Sequence, residues 1–415
     1  MPVLLVLGYV WPEPKSSAAG WRMLSLLRMY REQGWRIVFA CAAELSVHRF
    51  DLRSWGIEEW SIAVNDSELS AQFAALAPDA VLFDRFMIEE QFGWKIDEAC
   101  PNALKILDSE DLHFLRDARQ QAFKAGRDLK DHDLHSELAL REIAAIYRCD
   151  VTLTISSAEM SVLQHHFAIA PSLLCYCPLL LETRPTQHLG FAQRQDLCFI
   201  GNFRHEPNWQ TVLKLKQLWP EIRRQLPGVS LQIWGAYPPP KATALQNAAQ
   251  GFYVRGWADD AHEVLSKARL LVAPIPFGAG QKGKVLDAAL VGTPVVTSAV
   301  GAEGIAEPAT FPGVIAATDE AFVAAVVRLY QDQGLWQHAS ELSAGLIGQF
   351  DYSTHQPRVF AQLEATRHQL PQHRLHNFIG AMLKHHLHRS TKFMGQWIEA
   401  KNKVKVFEEQ QHAST

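Results

Sequence analysis

Residues 276–303 read PFGAGQKGKVLDAALVGTPVVTSAVGAE, and the fold is decided there. Gly278 and Gly280 lead into Lys282 and Lys284. An apolar helical pattern begins at once and stops at Gly292-Thr293-Pro294, and Val295-Val296-Thr297 then reads as a buried strand. Glycines ahead of a helix let backbone N–H groups approach a ligand closely, and the first helical turn favours anions. Two lysines at that end oppose the helix macrodipole unless an anion accompanies them. A loop, helix and strand of this kind suit a diphosphate.

Working outward, the same alternation of apolar runs and helical patterns fills the chain. Around the opening stretch, strands are expected over 197–200, 229–234, 252–255, 270–273, 295–298 and 314–317. Helices fall between them at 209–225, 260–267 and 282–291, and then at 319–333 and about 337–348. The first half repeats the pattern, with strands at 3–7, 36–41, 80–83, 103–107, 151–155 and 173–176 and helices at 18–33 and 158–167. Residues 115–147 form a long, charged stretch of helical character. Continuous apolar strands separated by helices imply parallel sheets covered on both faces. The fold class is therefore α/β, with two doubly wound Rossmann-like domains over 1–180 and 181–370 and a basic amphipathic tail over 371–415. The polar run from Glu182 to Gln187 is the expected linker. Ligands of open α/β sheets bind at the carboxyl ends of strands, so the cleft between the domains is the expected site.

Bulk properties narrow the function. A chain of 415 residues with 48% apolar and 20% charged residues has the composition of a globular protein. Its net charge of -4 argues against a nucleic-acid partner. The six cysteines show no framework spacing and read as buried free thiols. The opening MPVLLVLGYV lacks a basic flank and reads as a buried strand rather than a signal peptide, and no apolar run is long enough for a span. A cytoplasmic protein is expected.

The second half resembles bacterial glycosyltransferases of the large retaining family four (glycosyltransferase group 1), which have the GT-B fold. The resemblance rests on an ordered series: Phe199-Ile200-Gly201-Asn202, then Pro207-Asn208, Ile233-Trp234-Gly235 and Val254-Arg255-Gly256-Trp257. It continues through the glycine-lysine loop to Gly292-Thr293-Pro294-Val295-Val296. In the first half, Trp11-Pro12 through Gly20 is similar to the family's glycine-containing loop after the first strand. Leu107-Asp108-Ser109-Glu110-Asp111-Leu112-His113 is similar to an Asp-rich turn of one branch. One departure stands out: of the family's two glutamates separated by seven residues, the second position holds Asp287 and the first falls at Ala279.

The resemblance implies transfer of a sugar from a UDP- or GDP-linked donor to a glycan or lipid-linked glycan acceptor. Retention, no divalent metal, no other cofactor and a role in bacterial surface polysaccharide or glycoconjugate synthesis are implied with it. Breaking the glycosidic bond leaves charge on the diphosphate, so cations and amides are the first need. Lys282, Lys284 and Arg204 are the candidate cations, and Asp287 the candidate hydroxyl partner. Asp111 and His113 would face the donor and acceptor. Candidate donor-binding positions are Gly20, Gly201, Arg255, Gly256, Trp257, Gly278, Gly280 and Glu303. An epimerase or hydrolase on the same fold, or a silent scaffold domain, are the alternatives. Asp131-His132-Asp133 looks superficially like a metal motif, but its setting in a helical stretch would splay the carboxylates. In the tail, lysines interleave with Phe378, Ile379, Met382, Phe393, Met394 and Trp397. A basic amphipathic helix of that kind can lie on an anionic membrane face, here the inner face of the plasma membrane.

Overall fold

A computed structural model describes residues 1–182, 188–388, 392–401 and 404–405, so the linker residues 183–187 and parts of the tail lie outside the described residues. The first lobe holds strands β1 (Val3–Gly8), β2 (Arg36–Cys41), β3 (Glu58–Ser61), β4 (Ala80–Asp84), β5 (Leu104–Asp108), β6 (Val151–Thr154) and β7 (Leu174–Tyr176). The second holds β8 (Gln195–Ile200), β9 (Leu231–Trp234), β10 (Phe252–Gly256), β11 (Ala268–Ala273), β12 (Val295–Ser298) and β13 (Gly313–Ala316). Strand order is 3-2-1-4-5-6-7 in one sheet and 10-9-8-11-12-13 in the other. Every strand pair is parallel. The order reverses between β1 and β4 and again between β8 and β11, which puts a switch-point crevice on each lobe.

Central strands are buried along their whole length, as β4 and β5 show, which is why they read as unbroken apolar runs. Strand β3, Glu-Glu-Trp-Ser at the sheet edge, is half-exposed and carries no such run. The charged stretch 115–147 is two helices, His113–Lys124 and Glu137–Arg148. Gly126 at φ 63° follows the first, and the Ser136 side chain caps the second by accepting from the Ala139 amide. Asp131-His132-Asp133 therefore lies in a short 3₁₀ turn and not within a helix, with Asp133 held by Arg127 at 2.6 Å. Among the described residues no three side chains converge as metal ligands there or elsewhere.

All six cysteines are free and buried. The long helix Tyr352–His368 crosses back from the second lobe, and Tyr352, Val359 and Leu363 join the first-lobe core beside Tyr30 and Trp35. That return helix lies within the span that the sequence reading gave to the second domain, up to residue 370. Among the described residues, no helix is long and apolar enough to cross a membrane.

Candidate active site

The 278–284 turn connects β11 to the helix Gly283–Leu290, at the carboxyl end of the second sheet's switch point. Gly280 adopts φ 64°, and a Cβ there would lie 2.8 Å from the Asp111 Cβ of the first lobe. At Gly283 an added Cβ would lie 2.7 Å from that of Ala18. The glycines thus let the turn lie directly against the opposite lobe. Glu159, at the start of a first-lobe helix, fixes this contact: its Oε1 accepts from the amides of Leu112 (2.8 Å) and Gly280 (2.9 Å). Its Oε2 is buried and has no hydrogen-bond partner among the described residues. Burial, and then the charge of Asp111, push the Glu159 carboxyl up to about 8.

Both candidate lysines point into this contact rather than into bulk solvent. The Lys282 Nζ donates to the carbonyls of Ala279 (3.0 Å) and Gly280 (2.6 Å), and the Lys284 Nζ to Asn208 Oδ1 (2.8 Å). Desolvation lowers each to about 8, and for Lys284 the neighbouring Lys282 adds to the effect. Gly201, at the end of β8, packs on Asn208 so closely that a Cβ would lie 2.7 Å from its side chain. The loop glycines, Gly201 and both ammonium groups therefore form one cluster.

Asp111 sits across from that cluster. Burial alone would raise its carboxyl, but Arg116, with help from His113, holds it well below the usual carboxylate range. The His113 ring is turned back on its own lobe, with Nδ1 3.0 Å from the Asp111 carbonyl and the ring edge-on to Phe86. Glu303 is engaged by a first-lobe residue that the sequence reading missed: Arg119 pairs with both its oxygens at 2.7 Å and donates to the Gly278 carbonyl at 2.7 Å. Nothing in the local sequence around Arg119 marks it, because its partners lie 159 and 184 residues away.

The remaining candidates fall into three settings. Arg204 is exposed, with its guanidinium 3.6 Å above the Tyr237 ring. The Tyr237 hydroxyl donates to Glu13, in the loop that Gly20 touches: a Cβ on Gly20 would lie 2.4–2.6 Å from Glu13 backbone atoms. Gly256, at φ 76°, leads to Trp257, which stacks on His48 of the first lobe at 4.0 Å and 10°. Arg255 and Asp287 bond to other second-lobe residues. Arg255 is exposed on the edge strand β10, bonded to Gln232 at 2.7 Å. Asp287 turns to His262, 3.3 Å away, and the bond raises the imidazole pKa.

Residues 194–332 match the family described as Glycosyl transferases group 1. No curated protein matches the chain in sequence. Among solved structures, a mutant of S. aureus TarM in complex with fondaparinux, alpha-GlcNAc-glycerol and UDP superposes with TM-score 0.67 at 8% identity, covering 88% of this chain and 100% of that one. HepE of Anabaena with UDP-glucose gives 0.65 at 14% identity over 88% and 99% of the two chains. The pneumococcal O-GlcNAc transferase GtfA with UDP and GlcNAc gives 0.63 at 10% over 88% and 99%. At such identities the superpositions speak for the fold, and the family match in the second lobe speaks for the chemistry. Taken together, they give this chain the GT-B fold, with a second lobe whose residues 194–332 match the group 1 glycosyltransferases.

Proposed function

We propose that the protein moves a sugar, with retention, from a nucleotide-diphosphate donor held by the second lobe to an acceptor hydroxyl presented by the first. The observation that carries this reading is the glycine-containing 278–284 turn, where two desolvated lysines meet at a strand-end crevice facing the other lobe. When the bond to the anomeric carbon breaks, charge collects on the leaving diphosphate. Lys282, Lys284 and the turn amides are the groups to neutralise it, without a metal ion. Lysines near 8 in the free protein gain protons more firmly as a dianion approaches, so the charge is in place when it is needed.

The donor base would lie against the 255–258 segment, where Trp257 meets His48. Asp111 and His113 would orient the donor and acceptor. UDP is the first nucleotide to try, since it accompanies the TarM, HepE and GtfA structures. The acceptor proposed is a glycan or lipid-linked glycan of a bacterial surface polymer, with the 371–415 arm meeting the membrane.

A thermal-shift screen against UDP, GDP, ADP and CMP tests the donor site. A ligand bound by the native state alone raises its stability, so one nucleotide should stand out and its effect should disappear in Lys282→Ala. An unchanged response in the variant removes the phosphate assignment. Product analysis with acceptor present separates transfer from its rivals, since free sugar or an epimerised nucleotide in place of a glycoside rejects it.

A further inference from the structure

A cavity of 560 Å³ lies remote in sequence from the lysine cluster, where the C-terminal arm crosses the first lobe, and Trp94, Lys105, Arg374, Lys384 and Lys392 are among its lining residues. The arm is docked there. Asn377 Nδ2 donates to the Tyr147 carbonyl at 2.7 Å, Lys95 pairs with Glu399 at 2.8 Å, and a Cβ on Gly395 would lie 3.3 Å from the Trp94 ring.

Each lysine and arginine lining the cavity has a carboxylate beside it, with two amines meeting at Asp97. Arg374 is met by both oxygens of Asp150, at 2.8 and 2.7 Å, and Lys392 by Glu98. Asp97 bonds the buried Lys105 and lies 3.9 Å from Lys384. Burial, followed by the charge of Lys384, drives the Lys105 amine well below its ordinary pKa. An anion in the cavity would relieve that crowding.

What flanks the cavity in sequence is apolar and exposed. Phe378, Ile379 and Met382 precede Lys384 and are 77%, 45% and 45% exposed. Phe393, Met394 and Trp397 follow Lys392 at 63%, 59% and 60%. Both triads are spaced i, i+1, i+4, which on a helix is one face. An apolar face beside cations is the composition of a segment lying at a bilayer interface, where phosphates sit just outside the acyl layer.

We propose that the cavity takes the phosphate of an anionic phospholipid headgroup while the two apolar triads enter the acyl boundary. This rests on the reading of the arm as a membrane contact and adds to it a defined headgroup site.

The test is co-sedimentation of the full chain with vesicles of phosphatidylcholine alone and of phosphatidylcholine with phosphatidylglycerol. Three proteins are compared: the unchanged chain, Lys384→Gln, and Lys401→Gln as an exposed lysine of the same arm outside the cavity. The unchanged chain should prefer the anionic vesicles. Lys401→Gln should weaken binding by roughly fivefold, the effect of one charge near a membrane, and Lys384→Gln by clearly more, with turnover on a soluble acceptor unchanged in both. If the unchanged chain sediments with neither vesicle, the membrane reading falls and the headgroup site with it. If it sediments but the two variants behave alike, the membrane reading stands and the cavity is not the site. Saturation of the cavity by inorganic phosphate, with no loss of vesicle binding, likewise rejects a lipid headgroup as its ligand.

Discussion

The two walls of the cleft are built on opposite electrostatic principles. The first-lobe wall is carboxylate-rich and internally paired: Arg22 is bonded to Asp108 at 2.8 Å, Arg116 to Asp111, and Asp84 lies 3.7 Å from Arg85. The second-lobe wall carries Lys282 and Lys284, and among the described residues neither has a carboxylate within 4 Å. Their amines rest instead on carbonyl and amide oxygens. A wall of paired charges is fixed in place and can orient a neutral sugar or hydroxyl. A wall of cations held only by neutral acceptors is ready to exchange those acceptors for phosphate. This contrast fits the proposed function, in which one lobe stabilises the leaving group and the other orients donor and acceptor.

The sharpest way to break this division is to neutralise one residue on each side. Lys282→Ala should lower kcat by about 10²–10³-fold, the usual effect of removing one preorganised charge-stabilising group. Asp111→Asn should cost about tenfold if the residue orients, whereas loss of a general base costs about 10²–10⁴-fold. Steady-state kinetics measures both, and NMR of the product anomer decides between the roles. An Asp111→Asn loss equal to that of Lys282→Ala, with an inverted product, would move the catalytic burden to the first lobe.

Gly280→Ala probes how closely the walls must approach. The left-handed backbone alone costs a non-glycine residue about 1–2 kcal/mol, and the new methyl would meet the Asp111 Cβ at 2.8 Å. A lowered melting temperature together with a raised donor KM is expected. A variant with normal stability and kinetics would mean that the lobes need not touch here.

How far the sequence revealed each wall follows from the same difference. The cationic wall is local: glycines, lysines and the following helix and strand fall within one short stretch, so periodicity and residue type place them together. The strands of both sheets were legible for a similar reason, since burial on both faces writes an unbroken apolar run, and β3, exposed at an edge, left none. The contacts between the walls were not legible. Arg119 finds Glu303 across 184 residues, Tyr237 finds Glu13 across 224, and Glu159 reaches Gly280 across 121. Such pairs are chosen by how two folded lobes meet, which no local pattern encodes. Asp287, expected from its helix position to contact the donor, bonds His262, a partner that its own helix does not reveal.

Proton linkage offers a milder test of the same contrast. Lys282 and Lys284 stand near 8 in the free protein, and a bound diphosphate must raise them. Nucleotide affinity should therefore be flat below about 8 and fall above it, as the free protein loses protons that the complex retains. Calorimetry in buffers of different ionisation enthalpy should record proton uptake on binding above that point and none well below it.

The smallest effect belongs to Glu159, the first-lobe carboxylate that holds the Gly280 amide. Its folded value near 8 lies above the unfolded 4.5, so the folded state retains a proton that the unfolded state releases. The stability it contributes is complete below about 4.5 and declines as pH rises through about 8. Glu110, also raised to about 8 by burial and by Asp108, has the same sign, while Asp111, held low by Arg116, has the opposite one. Glu159→Gln keeps an oxygen to accept from Leu112 and Gly280 but cannot ionise. Its melting temperature should accordingly fall less steeply than the wild type's as pH rises across that interval, with the Glu110 share of the slope intact. Parallel profiles for the two proteins would show that the carboxyl is already charged at the lobe contact, and that the first wall ties down the phosphate turn as an anion rather than as a neutral acid.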